Sequence, residues 1–278
     1  MTFGIELDRV ATIIRGVAEA EILPRFRRLE KHEIHEKSPG SLVTIADTEA
    51  ERVLQAALTT LLPSSLVLGE EGAAADPTVF DHLAGDQPVW IIDPVDGTIN
   101  FANSVPRFAV IVALVAAGDV RAGWIHDPVR HATAMASAGG GAWLAEPGQE
   151  RRRLQRTTMP PIRAARGAAA GRLPGRGRAL DILKESGRTG PLHRVTSAAH
   201  EYLDLVEGRV DFATFGRVLP WDHAAGVLIH REAGGVSGFI EFDTPEPVPY
   251  SPRRQAGLLL LTPTRAAWTE LRDILVTG

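Results

Sequence analysis

The run Val89-Trp90-Ile91-Ile92, followed by Asp93-Pro94-Val95-Asp96-Gly97-Thr98, constrains this chain more than any other stretch. Four consecutive apolar residues suit a strand covered on both faces, so the fold must supply layers on either side of it. Pro94 fixes its own φ and drives Asp93 toward extended geometry, which predicts that the strand ends there in a stiff turn. Asp93 and Asp96 then flank that turn, near enough to share one or two hard cations. Gly97 lacks a Cβ, so an anion can approach the backbone N–H groups beyond it. A helix beginning near Thr98 would aim its positive end at the same spot. For an isolated D-x-x-D, an acidic turn with Asp96 capping a helix is the ordinary alternative.

At 278 residues the chain allows one large domain or two fused lobes. A net charge of −4 gives no general push toward nucleic acid or membrane. The absence of cysteine excludes disulfide scaffolds, thiolate metal sites and cysteine nucleophiles. Glu6, Asp8 and Arg9 interrupt the apolar residues near the start, so no signal-peptide core is expected. The longest apolar run, residues 108–117, is too short to span a bilayer. A soluble cytoplasmic protein is the expectation.

Leu7, Val10, Ile14, Val17 and Ala18 recur at helical spacing and predict an amphipathic helix over residues 5–29, bent by Pro24. His32 and His35 lack the i, i+4 spacing of a zinc helix and read as surface residues. Residues 38–41 read as a loop and 42–45 as a short strand. Thr48 and Glu51 fit a capping box, predicting a helix from there to about residue 62 with Asp47 just ahead of the cap. Residues 66–68 read as a strand running into Glu70-Glu71, ordinarily a solvated turn. Residues 109–116 and 120–126 read as a hairpin around Gly118-Asp119, and 132–137 with 141–144 repeat the pattern. Antiparallel strands after a helix-rich start point to the α+β class, with helices stacked on a sheet.

Residues 151–178 carry nine arginines and no acidic residue. The stretch reads as a mobile connection, 151–180, between an N-terminal lobe, 1–150, and a C-terminal lobe, 181–278. No aromatic residue interleaves it to stack bases, so nucleic acid is not an expected partner, although an anionic substrate would be attracted. Beyond it, residues 193–196 read as a strand and 197–206 as a helix capped by Ser197. Residues 211–215 suit another strand, and a helix led by Pro220 stops at Gly234-Gly235, with Asp222 placed as an ordinary N-cap. Residues 257–261 read as a central strand and 266–276 as a closing helix.

Asp47, Glu70, Asp93, Asp96 and Asp222 thus stand at strand ends or helix starts. Magnesium takes a few hard oxygen ligands and leaves room for water and substrate phosphate, and paired ions serve phosphoryl transfer. The segments Val43-Thr44-Ile45-Ala46-Asp47, Gly69-Glu70-Glu71, Asp93-Pro94-Val95-Asp96-Gly97-Thr98 with Asn100-Phe101, and Trp221-Asp222 with Ala224-Ala225-Gly226 closely resemble the inositol monophosphatase family. That family belongs to the lithium-sensitive, magnesium-dependent phosphatases. The resemblance spans nearly the whole chain.

It implies a layered α/β/α/β/α sandwich, a small phosphorylated substrate, hydrolysis of a phosphate monoester without a covalent intermediate, and two or three magnesium ions. Carried over by position, Glu70, Asp93 and the Val95 carbonyl would hold the first ion, and Asp93, Asp96 and Asp222 the second. Glu70 would also steer a water of a third, looser ion, and Asp47 with Thr98 would orient and deprotonate the attacking water. The N–H groups of Gly97 and Thr98 would cradle the phosphate beside Asp96, and Lys37 fits a position near the same charges. A homodimer is implied by the same likeness.

The match frays at the substrate pocket. Inositol-specific members carry a glutamate where this chain has Phe215, which cannot accept a hydroxyl hydrogen bond. Thr196-Ser197-Ala198 resembles the segment lining the polyol pocket, with Thr196 standing where glycine is usual, so Ser197 and Ala198 are candidate substrate contacts. Arg217 is either a solvated loop residue or a clamp for a second anionic group. In the second case a 3′,5′-bisphosphate nucleotide or a sugar bisphosphate competes with inositol phosphate, and histidinol phosphate is a further option. A non-catalytic regulatory or RNA-associated partner that retains the fold is the reading from another class.

Overall fold

A computed structural model describes residues 6–38 and 40–277. Residue 5, where the first helix was expected to begin, and Pro39 of the expected loop lie outside the described residues. The chain opens with α1 (Leu7–Val17), a small antiparallel hairpin of β1 (Ile34–Ser38) and β2 (Ser41–Thr44), and α2 (Ile45–Leu61). Strand β3 (Leu66–Gly69) leads into the short α3 (Glu70–Ala75), and β4 (Val89–Asp96) into the short α4 (Thr98–Ala102). Four more strands follow, β5 (Ala109–Ala116), β6 (Asp119–Asp127), β7 (Ala132–Ser137) and β8 (Gly141–Ala145), and then β9 (Arg152–Leu154).

Strands β3 to β9 form one seven-stranded sheet in chain order, parallel only between β3 and β4. A second, five-stranded sheet contains β10 (Gly167–Ala169), β13 (Leu192–Arg194), β14 (Phe212–Arg217), β15 (Val236–Ile240) and β16 (Ala256–Thr262), ordered β13-β10-β14-β16-β15. Between its strands come the two-residue pair β11 (Arg172–Leu173) and β12 (Gly177–Arg178), then α5 (Ala179–Ser186), α6 (Ala198–Glu207) and α7 (Pro220–Glu232). Helix α8 (Arg265–Thr277) follows the last strand.

Period-two alternation explains the layering. Along β4, Trp90 and Ile92 pack with Val10 and Ile14 of α1 and Leu54 and Leu58 of α2. Val89 and Ile91 point the other way, into a cluster with Tyr202 and Leu205 of α6 and Ala224 and Leu228 of α7. Along β16, Leu259 and Leu261 join that same central cluster, whereas Leu258 and Leu260 face Leu183 of α5 and Trp268 and Leu271 of α8. The architecture is therefore an α+β sandwich of five layers, α/β/α/β/α. Asp93, Asp96 and the start of α6 meet where the first sheet abuts the central helices.

Several local expectations are revised. The first helix leaves α geometry at Val17, passes through one π turn (Leu23 N–H donates to Ala18 O at 2.9 Å) and gives way to turns around Pro24. Helix α2 begins one turn earlier than expected because Thr44 and Asp47, not Thr48 and Glu51, form the capping box. Strand β4 does not stop at Pro94. It runs to Asp96 through a register shift against β5, and a bulge tolerates a residue without an N–H. Asp222 lies within the first turn of α7, whose N-cap is Leu219, with Pro220 at the first helical position.

The arginine-rich stretch is built into both sheets, with β9 at the edge of the first and β10 inside the second. Its apolar residues explain why: Leu154, Ile162, Ala165, Ala168 and Leu173 are all buried. Gly167 has to be small there, since a Cβ would come within 2.2 Å of the Phe212 ring.

Candidate active site

Two elements deliver three carboxylates to one place. The bulge in β4 carries Asp93 and Asp96, and the first turn of α7 carries Asp222. One oxygen from each lies within 4.8 Å of the other two. Asp93 is 1% exposed and Asp96 7%, and among the described residues no lysine or arginine forms an ion pair with any of the three. Burial, reinforced by Glu70, Asp96 and Asp222, pushes the Asp93 carboxyl well above the usual carboxylate range. Burial together with Asp96 and Glu70 does the same to Asp222. Hard oxygens crowded against one another in low dielectric, with no ion-pairing lysine or arginine among the described residues, fit a divalent cation of the magnesium type.

Asp96 has a second task. Its carboxylate accepts hydrogen bonds from the Ser197 hydroxyl and from the N–H groups of Ala198 (3.1 Å) and Ala199 (2.9 Å), capping α6 from another layer. Burial still raises its pKa against these bonds. Ser197 in turn lies 3.1 Å from His200 Nδ1, and His200 Nε2 lies 3.3 Å from Asp127 Oδ2. A line Asp96–Ser197–His200–Asp127 thus runs from the carboxylate cluster into the first sheet. Ser197 and Ala198 also line the cavity beside it.

Glu70 and Glu71 are held by Lys37, whose Nζ lies 2.8 Å from a carboxylate oxygen of each. Burial works against the Lys37 ammonium, but the pair of glutamates holds it above the usual lysine range. Glu51 accepts from the N–H groups of Glu71 (2.9 Å) and Gly72 (2.8 Å), pinning the start of α3. Gly69 is required for this contact, because a Cβ there would lie 2.4 Å from the Glu51 carboxyl carbon.

Asp47 Oδ2 accepts from Thr44 N (2.8 Å) and Thr44 Oγ1 (2.6 Å), leaving Oδ1 to face Thr98 Oγ1 at 3.2 Å. Burial, partly offset by the Thr44 bonds, raises the Asp47 carboxyl to about 7. Gly97 sits at φ +84°, and a Cβ would meet Arg107 O at 2.8 Å, so only glycine turns the chain from β4 into Thr98.

Glu70, Asp93, Val95, Asp96, Gly97, Thr98 and Asp222 all line one cavity of about 170 Å³. A second cavity of about 400 Å³ shares Asp96, Thr196 and Asp222 with it and adds Ser197, Ala198, Phe215 and Arg217. Phe215 stacks on Tyr202 at 5.3 Å between centroids and meets His223 edge-on at 4.7 Å. Burial pushes His223 down to about 4, so its ring is neutral at pH 7. Its Nε2–H must then donate to the Arg217 carbonyl (3.0 Å), and Nδ1 accepts from the Tyr202 hydroxyl (2.9 Å). The Phe215 wall is therefore apolar and rigid, and the Arg217 backbone is fixed beside Asp222.

The description "Inositol monophosphatase family" belongs to the family model that matches residues 6–243. The chain belongs to the inositol monophosphatase family. Among its relatives in this family of phosphatases, a Thermotoga maritima protein named fructose-1,6-bisphosphatase/inositol-1-monophosphatase is 34% identical over 203 residues, covering 72% of this chain and 73% of that protein. A Pseudomonas aeruginosa protein named Nus factor SuhB is 33% identical over 225 residues, covering 77% and 78%. Among solved structures, the Thermotoga maritima IMPase superposes with a TM-score of 0.77 at 25% identity over 97% of both chains. Among the described residues, no helix of this family member is long and apolar enough to cross a membrane.

Sequence reasoning missed Glu51, Thr44, His200 and Asp127. Sequence pattern places Glu51 in a capping box with Thr48 and makes Thr44, the actual N-cap, a strand residue. The His200–Asp127 contact joins residues with no local signature.

Proposed function

We propose that this chain hydrolyses a small phosphate monoester with magnesium as its cofactor. The observation that carries the reading is the trio of buried Asp93 and Asp96 with half-buried Asp222, with oxygens within 4.8 Å of one another beside the Thr98–Asp47 pair. Glu70, Asp93 and the Val95 carbonyl would hold one ion, and Asp93, Asp96 and Asp222 another, with Glu70 also ordering water for a third. Magnesium bound there supplies charge that stabilises the phosphoryl oxygens and the leaving oxygen.

The chain's own residues do the rest. The Thr98 hydroxyl has one proton and two acceptors, Asp47 Oδ1 at 3.2 Å and Val95 O at 3.1 Å. Donating to Asp47 leaves its lone pairs free to accept a proton from the attacking water. Asp47, raised to about 7 by burial, is suited to take that proton on. The Gly97 and Thr98 N–H groups hold the phosphate, and the turn enforced by Gly97 fixes where it sits. Ser197, Ala198 and Arg217 line the space for the leaving alcohol, whose apolar wall at Phe215 favours substrates other than inositol phosphate.

Homodimer assembly and a cytoplasmic location belong to the same reading. A nucleic-acid-associated role gains support from the Nus factor relative, but Arg151, Arg152, Arg156 and Arg166 are engaged with acidic side chains of this chain.

The test is a panel of inositol 1-phosphate, histidinol phosphate, fructose 1,6-bisphosphate and adenosine 3′,5′-bisphosphate, assayed with magnesium, with and without lithium. Magnesium-dependent phosphate release from at least one ester is expected. No release from any of them, with salt-sensitive RNA binding instead, would move the protein to the non-catalytic reading.

A further inference from the structure

Ser197 is an unusual helix cap. As the N-cap of α6, its hydroxyl oxygen accepts from the N–H of His200 at the third helical position (3.2 Å), the ordinary capping bond. Its own proton goes to Asp96, in another layer. The third position of a capping box is usually Glu or Gln, reaching back to the N–H of the cap residue. Here it is His200, whose Nδ1 instead lies 3.1 Å from the cap hydroxyl. One residue therefore holds the Ser197 oxygen from two sides.

His200 is itself braced. It is buried, and its Nε2 lies 3.3 Å from Asp127 Oδ2 at the end of β6. The other Asp127 oxygen accepts from the N–H groups of Val129 (3.0 Å) and Arg130 (3.0 Å), which fixes the carboxylate in the turn after β6. Burial works against the charged form of Asp127, but the His200 and Arg130 hydrogen bonds hold its carboxyl below the usual range. It can then only accept, so Nε2 carries a hydrogen. A buried charged pair is poor evidence for stability, since apolar residues of similar volume often serve as well. What this pair supplies is orientation.

Asp96 has a use for it. The terminal torsion of an aspartate is broad, so the plane of its carboxylate is set by what it touches. Among the described residues Asp96 accepts from three donors at the start of α6, the Ser197 hydroxyl and the N–H groups of Ala198 and Ala199. The helix fixes the two N–H groups, whereas the hydroxyl is free to rotate unless something holds it. Magnesium demands near-octahedral geometry, so a carboxylate turned out of its plane binds the ion poorly.

We propose that His200, braced by Asp127, is a positioning residue for Asp96: by fixing the Ser197 hydroxyl it sets the plane of the carboxylate that would take magnesium. The role rests on the phosphatase reading above and extends it to two residues that line neither cavity of the site.

The experiment is a calorimetric titration of magnesium into the full chain, stripped of metal and free of ester, as wild type, His200→Leu, His200→Asn and His200→Gln. His200→Leu is expected to weaken magnesium binding by about 10–100-fold, the range for a residue that supports a metal ligand. Asn can place its amide near the Nδ1 position and reach Ser197, whereas Gln places its amide near Nε2 and reaches Asp127. Asn should therefore bind magnesium more tightly than Gln, an order that can be read even if His200→Leu does not fold. In the Ser197→Ala background His200→Leu should add less than about twofold, because the two residues act through one path. With the best ester, half-saturating magnesium and kcat should shift while KM for the ester stays within about twofold.

Equal magnesium affinity in wild type and His200→Leu overturns the proposal and leaves the pair a packing feature. An additive loss in the Ser197→Ala background overturns it too, as does Gln binding as tightly as Asn or tighter. If esters are hydrolysed and the affinities do not move, only the positioning role falls. If no ester is hydrolysed, the phosphatase reading fails, and the calorimetric order of the variants still decides the positioning. A wild type that binds no magnesium overturns both.

Discussion

Thr98 Oγ1 lies 3.2 Å from Asp47 Oδ1, across 51 residues of sequence, while the other Asp47 oxygen is fully occupied by Thr44. That asymmetry points one carboxylate oxygen at one hydroxyl and holds it there. If the pair handles the proton of the attacking water, the hydroxyl matters and the methyl group does not. Thr98→Ser is expected to keep turnover within a few-fold. Thr98→Val is expected to lose about 10²–10⁴ in kcat, the range for general acid–base groups. Magnesium-dependent turnover of the best ester measures both, and a fully active Val variant would remove the pair from the chemistry.

Asp96 tests whether the cluster serves chemistry or only packing. Its carboxylate faces Asp93 and Asp222 on one side and the start of α6 on the other. Asp96→Asn keeps an oxygen that can accept one N–H of α6, so the fold should survive with a modestly lower Tm. Activity should fall by about 10²–10³ or more, as for loss of one preorganised stabiliser. Circular dichroism melts beside the kinetic assay separate the two effects. Near-normal turnover would exclude Asp96 from the site.

Metal removal should leave a signature in stability that depends on pH. Burial raises Asp93, Asp96 and Asp222 above their unfolded values, with repulsion between carboxylates adding to it at Asp93 and Asp222, so the metal-free fold binds more protons than the unfolded chain. This group of carboxylates therefore costs stability at high pH and relaxes as pH falls through the raised folded values. Magnesium should raise Tm by several degrees at pH 8, consistent with about 2.7 kcal/mol at a hundredfold excess over Kd. The gain should shrink at pH 5.5, where protons compete for the same oxygens. Thermal melts with magnesium or with chelator at both pH values decide it. An equal shift at both would mean the ion binds elsewhere.

How much of this was legible in the sequence depends on whether the cause was local. Gly97 was legible because its turn and its close approach to Arg107 are properties of a few adjacent residues. The same holds for the buried run of β4, whose eight residues are all covered. The start of α2 was not, because Thr44–Asp47 and Thr48–Glu51 offer the same capping pattern four residues apart. The tie is broken by tertiary structure: the backbone of α3 claims Glu51. Strand β10 was hidden because Gly167, Ala168 and Ala169 carry no strand signal of their own, and Gly167 is small to admit Phe212 from the neighbouring strand. The His200–Asp127 contact joins two elements far apart in sequence, and no spacing rule reaches it.

His230 offers a stability test free of the active site. Its ring is fully buried, neither nitrogen has a hydrogen-bond partner, and a Cβ at Gly235 would lie 2.3 Å from its Cε1. Burial, with Arg156 as a second cause, pushes it down to about 3, whereas an unfolded histidine titrates near about 6.5. Between those values the unfolded chain binds the extra proton, so stability is complete above the unfolded value and lost as pH falls toward the folded one. His230→Leu removes that loss together with the unsatisfied nitrogens. The variant should match or exceed wild type at pH 8, and its advantage should grow by up to about 1.4 kcal/mol for each unit of pH below about 6. His126 and His223, both pushed down to about 4, titrate in wild type and variant alike and cancel in the difference. Urea unfolding of both proteins at pH 8 and pH 5 measures the gap. A gap that does not widen would show that His230 already carries its proton in the folded protein.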